Sequence, residues 1–173
     1  MITRYTNLLL TGAILLITSC KGDKTYEEGY YFQDFENLKD WVDDSRQITN
    51  EFAKSGSYSS KMDEFNAYSN GFKLSVADIK SKGFKKAKVR AWGALSEPNA
   101  KCKLVTTIEN AEKTIYWNGI SFNDFISNPK DWGLVQTEVN FDKADNNSVF
   151  KVYAINDGKE KAYLDDVEIQ LVK

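Results

Sequence analysis

The stretch VFKVYAIN, residues 149–156, alternates without a break. Phe150, Val152 and Ala154 fall on one side of an extended chain and Lys151, Tyr153 and Ile155 on the other, because successive strand side chains point to opposite faces. One side is apolar; the other mixes aromatic, cationic and aliphatic groups. Such a strand needs a second sheet against its apolar side and leaves the other partly solvated. The pattern continues outward. Val135-Gln136-Thr137-Glu138-Val139-Asn140-Phe141 alternates in the same way, and β-type runs occupy 30–35, 47–53, 57–63, 71–76, 87–95, 101–109, 113–122, 134–142, 149–156 and 162–172. Clusters such as Lys54-Ser55-Gly56, Ser69-Asn70-Gly71, Asp145-Asn146-Asn147 and Asn156-Asp157-Gly158 supply the turns. Only 76–82 and 121–127 have room for a helical turn. The spacing predicts an all-β sandwich of two antiparallel sheets, with about four or five strands in each.

Composition narrows the function. The chain has 173 residues, with 23 Lys and Arg against 25 Asp and Glu. The length suits one domain plus a tail, and the balance gives neither a basic field for nucleic acid nor the acidic excess of a disordered chain. Histidine is absent, which excludes Ser-His-Asp hydrolysis, His-ligated zinc and the HExxH metalloproteases. Ten Phe, nine Tyr and four Trp against two Pro describe an aromatic-rich globule suited to binding or structure. Carboxylates are plentiful, but nothing marks a pair for glycoside hydrolysis, and the chain is not read as an enzyme. The lysine-rich 80–86 stretch reads as a solvated loop, with an anionic glycan or membrane surface as the alternative.

The first twenty residues stand apart. Arg4 precedes a ten-residue apolar run, LLLTGAILLI at 8–17, too short to span a bilayer but suited to a signal peptide. Ile17-Thr18-Ser19-Cys20 resembles the bacterial lipobox, which implies cleavage before Cys20 and acylation of its sulfur. The expected organisation is a signal peptide over 1–19, a lipidated cysteine and tether over 20–29, and one domain over 30–173. The protein would then sit in the cell envelope, at the outer membrane, anchored by acyl chains; which way it faces stays open. Acylated Cys20 leaves Cys102 without a disulfide partner. Cys102 shares its side of a strand with Leu104, Thr106 and Ile108 and reads as a buried thiol.

The run 162–172 holds an anomaly. Uninterrupted alternation puts Tyr163, Asp165, Val167, Ile169 and Leu171 on one apolar face, with Asp166, Glu168 and Gln170 facing water. A carboxylate on a core face needs a cation or several N–H partners. Two readings stand level: a site for a hard cation, most simply Ca²⁺, or a carboxylate capping loop amides at the sandwich edge.

A family enters on an ordered set of motifs: Phe32-Gln33-Asp34-Phe35-Glu36 followed by Trp41, then Ala53-Lys54-Ser55-Gly56-Ser57-Tyr58-Ser59, Val89-Arg90-Ala91-Trp92, Trp132 ahead of 135–141, and Leu164-Asp165-Asp166-Val167-Glu168-Ile169. In order and spacing the chain resembles the galactose-binding-like jelly rolls, and among them carbohydrate-binding modules of the CBM4/9/22 type. The resemblance implies a jelly-roll β-sandwich that binds glycan without catalysis. It also implies a structural Ca²⁺, carried over onto Glu36, the backbone around 54–57, and Asp165.

A sugar presents a C–H face to an aromatic ring and hydroxyls to amide and charged groups. Trp41 and Trp132 stand where the family packs tryptophan. Trp117, beside Tyr116 and Asn118, lies outside that pattern and is the first candidate for a stacking platform. Trp92 and Tyr153 are candidates to assist it, with Arg90, Asn118 and Asn156 as polar neighbours. The alternative function is an adhesion or assembly lipoprotein that holds an envelope protein partner on the same surface.

Overall fold

All ten runs form strands. The computed structural model describes residues 27–37, 41 and 45–173; the expected signal segment and Cys20 lie outside them. The strands are β1 (Tyr30–Gln33), β2 (Ile48–Thr49), β3 (Ser59–Met62), β4 (Phe72–Ser75), β5 (Lys86–Leu95), β6 (Cys102–Glu109), β7 (Thr114–Ser121), β8 (Trp132–Asn140), β9 (Val149–Asn156) and β10 (Ala162–Val172). One helical turn and a half, α1 (Val76–Ser81), follows β4, and a 3₁₀ turn, Phe122–Asp124, follows β7. Both fall within the two stretches the sequence left open to helix.

The strands form two antiparallel sheets, the architecture of a β-sandwich. One has the order β4-β9-β6-β7; the other has β2-β3-β10-β5-β8, with β1 also paired to β10. The division is six and four rather than four or five each. The cause is the length of β10. Its eleven residues pair with β5 along one side, while the other side is shared end to end by β3, against 162–164, and β1, against 167–170. The two inner faces bury Met62, Leu104, Ile108, Phe122, Phe141, Phe150, Leu164 and Ile169. Phe150 is the hub, with Phe141 at 5.2 Å and Phe72 at 6.1 Å between ring centroids. Each such side chain contributes about 1.5–3 kcal/mol by leaving water. Cys102 faces this core, fully buried, its sulfur 3.8 Å from that of Met62, and burial raises the thiol pKa far above its ordinary value.

The gap between β3 and β1 is where β10 breaks step. Its register on β5 shifts between Asp165 and Glu168, and Asp166 adopts a left-handed φ of 45°. This bulge reverses the alternation. Ala162 and Leu164 point into the core before it, and Val167, Ile169 and Leu171 after it. Asp165 therefore lies on the outer side with Tyr163 and not, as uninterrupted alternation predicts, on the core side. It is nonetheless fully buried, because the 50–58 loop folds over it.

That loop covers one end of the outer face of the six-stranded sheet. Phe52 stacks on Trp132 (5.1 Å, 9° between planes) and meets Tyr163 edge-on at 5.5 Å, while the Lys54 ammonium sits 4.4 Å from the centre of the Trp92 ring. Glu51 fastens the loop through Lys161 (2.7 Å) and Lys61 (2.9 Å), whose hydrogen bonds hold its carboxyl at a pKa of about 2.

Candidate functional site

Two carboxylates hold the 54–58 turn. Asp165 Oδ2 accepts from the backbone N–H of Lys54 (2.8 Å) and Ser55 (3.3 Å), and Oδ1 from that of Asp166 (2.8 Å). Glu36 Oε1 accepts from the N–H groups of Ser57 and Tyr58, both at 2.7 Å. Burial pushes the Asp165 carboxyl up to about 7, against the pull of the amides. Gly56, at φ 58°, lets the turn close, since a Cβ there would lie 2.5 Å from Glu36 Oε1. Glu36 and Asp165 thus reach the same turn, as the resemblance implies, but the groups that close on them are N–H donors. A hard cation takes oxygen ligands, and among the described residues no group of three or more His, Cys, Asp or Glu is placed to hold a metal ion. The arrangement is that of amide capping, and these residues as they stand do not fit Ca²⁺.

The sequence candidates divide between the two outer faces. Arg90 and Trp92 lie on the six-stranded sheet: Arg90 is exposed, 3.6 Å from Glu168, and Trp92 is half-buried beneath Lys54. Trp117 and Tyr153 lie on the opposite side of the molecule, on the four-stranded sheet. Asn118 and Asn156 do not join either pair. Asn118 lies opposite core-facing Thr106 and donates to Thr137 Oγ1 at 3.1 Å, tying β7 to β8. Asn156 is buried and shapes the following turn, donating to Glu160 O at 2.7 Å and accepting from Gly158 N–H at 3.0 Å. Trp41 packs on Phe72 at 4.8 Å, and Trp132 on Phe52, as described above.

On the four-stranded sheet the strand periodicity builds a line of rings. Trp117, 54% exposed, pairs across β6 with Thr107, but its indole leans along β7 over Gly119. A Cβ on Gly119 would lie 2.4 Å from Trp117 Cη2, so only glycine lets the ring lie there. Val105 faces Gly119 on one side and Tyr153 on the other. The indole and the Tyr153 phenol therefore share one cross-strand row, on strands two steps or about 10 Å apart. Tyr68 extends the row beyond β9, bridging to Ile155, with its ring 6.0 Å from that of Tyr153. Burial, and next Tyr68, raises the Tyr153 phenol above its ordinary pKa. Ion pairs border the row on both sides. Lys151 is paired with Glu109 on one flank, and Lys103 with Asp157 at 2.9 Å on the other. The Thr107 hydroxyl, buried between Trp117 and Lys151 in the register, has no hydrogen-bond partner among the described residues.

Tyr68, Val105, Gly119, Lys103, Glu109 and Asp157 were not among the sequence candidates. Parity within β6 and β9 could have pointed to Val105 and Lys103. Tyr68 lies in a turn region without periodicity, and Gly119 contributes by lacking a side chain.

No protein-family model and no curated protein matches the chain. Solved structures do. The CBM22-2 xylan-binding domain of Paenibacillus barcinonensis Xyn10C aligns over 82% of this chain and 99% of its own, with a TM-score of 0.56 and 15% identity. The C-terminal family 22 carbohydrate-binding module of Clostridium thermocellum Xyn10B aligns over 83% and 93%, with 0.53 and 13%. A xylan-binding CBM22 domain, formerly termed x6b, aligns over 84% and 97%, with 0.52 and 13%. At these identities the likeness is one of fold: the described residues form a jelly-roll β-sandwich like that of these domains.

Proposed function

We propose that the outer face of the four-stranded sheet binds a glycan chain, without catalysis, and that acylated Cys20 holds the domain at the outer membrane of a bacterial envelope. The line Tyr68–Tyr153–Val105–Trp117 is the observation that carries the binding reading. It offers ring faces on β7, on β9 and beyond β9, with charged pairs along both borders where sugar hydroxyls would find donors and acceptors. The neighbours named above are carbohydrate-binding modules, two of them xylan-binding by name, which supports the ligand class. The anchor rests on the 8–20 segment alone, and Ca²⁺ has no part in the reading.

Each aromatic contact of this kind is worth about 0.5–1.5 kcal/mol beyond area burial, so affinity should be micromolar to millimolar. The test is a glycan array followed by affinity electrophoresis in the polymers it selects, xylan among them. Trp117→Ala should lower retention about tenfold, and Tyr153→Ala less, with the thermal midpoint of Trp117→Ala unchanged. A loss of about 3–5 kcal/mol in folding stability on Trp117→Ala would mark a core residue and overturn the platform.

A further inference from the structure

The outer face of the six-stranded sheet beyond the 50–58 loop carries chemistry that the line of rings does not use. There β10, β5 and β8 lie side by side, and their outward residues form two cross-strand rows: Gln170, Lys88 and Glu138 in one, Glu168, Arg90 and Gln136 in the next. Each row holds one cation, one carboxylate and one amide. The rows are two residues apart, about 7 Å, and the six side chains line an open depression of about 540 Å³. The charges in it are unequally engaged. Glu138 is paired with Lys86 at 3.1 Å, whereas Glu168 lies 3.6 Å from Arg90, outside hydrogen-bonding distance. Lys88 is exposed and has no ion-pair partner among the described residues. Lys86 and Arg90 thus sit against the two carboxylates, Lys88 is the cation in excess, and the guanidinium donors of Arg90 make no hydrogen bond among the described residues. Trp92, the next outward residue of β5, lies outside the lining with its ring already covered by Lys54, so this depression offers polar contacts rather than stacking.

We propose that the depression is a second carbohydrate site, for a saccharide that carries a carboxylate, such as a uronic acid. Its carboxylate takes hydrogen bonds from the planar fork of Arg90 and from the Lys88 ammonium. Gln136 and Gln170 meet the neighbouring hydroxyls as donors and acceptors, and Glu138 and Glu168 accept from hydroxyls farther along the ring. The site shares no residue with the aromatic line and lies on the opposite face, so the domain is bivalent, with one face for stacking and one for charge.

Polygalacturonate is the probe, with a neutral xylan as the uncharged control and polyglutamate as a polyanion without sugars. The full chain should bind polygalacturonate, more weakly as salt rises. Lys88→Gln and Arg90→Gln should each weaken binding about fivefold and the double variant should abolish it. Arg90→Lys should restore part of it, Lys113→Gln, an exposed lysine outside both faces' sites, should leave it unchanged, and polyglutamate should not compete. Trp117→Ala in the xylan arm reports on the aromatic line separately. Failure of the wild type to bind polygalacturonate, indifference to the double variant, an equal loss in Lys113→Gln, or equal competition by polyglutamate would each overturn the assignment.

Discussion

Asp165 gives up its hydration to the backbone N–H groups of Lys54, Ser55 and Asp166. Asp165→Ala removes the acceptor that all three share, at about 0.5–1.5 kcal/mol each, so urea unfolding should show a loss of roughly 2–4 kcal/mol. Closure by amides also means that thermal unfolding of the wild type should be the same with and without EDTA. A midpoint that drops with EDTA and returns with Ca²⁺ would show a cation sharing these carboxylates. The residue was visible in the sequence as a carboxylate out of place, and both readings of it were open. Its side of the strand was not legible. A bulge is a mismatch in count between two strands, and one strand read alone contains only half of that information.

Strands β6, β7 and β9 make the line of rings, and β7 shows how an element positions a side chain through a neighbour. The Trp117 indole needs the space above Gly119, two residues along its own strand. Gly119→Ala should lift the ring, raising its quenching by acrylamide and lowering glycan retention as far as Trp117→Ala does. Stability should change by no more than about 1 kcal/mol, since a strand accepts alanine readily. Unchanged quenching would mean that the ring rests elsewhere. The strands themselves were legible because alternation and turn residues are local signals. Their ends were less so: β8 begins at Trp132 rather than Leu134, since pairing with Ala94 on β5 extends it. Asn118 and Asn156 were misjudged because amides at strand positions bond to neighbours as readily as to a ligand, and the neighbours are set by tertiary contacts.

At the scale of the whole molecule, parity along a strand tells which residues share a side but not which sheet the strand joins. Trp92 and Trp117 looked like one site for that reason, and pairing sends them to opposite faces. The chain emerges from the described domain at Glu27, seven residues after Cys20. If acyl chains on Cys20 hold it, Cys20→Ser should move the protein from the membrane to the soluble fraction, or leave the signal peptide uncut. An intact mass showing an unmodified Cys20 in the native protein would refute the anchor. The position of β10 has a consequence in time. It is the strand against which β1, β3 and β5 all pair, and Tyr30 meets Gln170 about 140 residues away in sequence. The six-stranded sheet therefore cannot close until β10, the last of the ten strands in chain order, has been made. Contacts this distant also close slowly. Until β10 is in place β1 has no partner strand and β5 is paired along one edge only, so a chain cut before Ala162 should lose the six-stranded sheet.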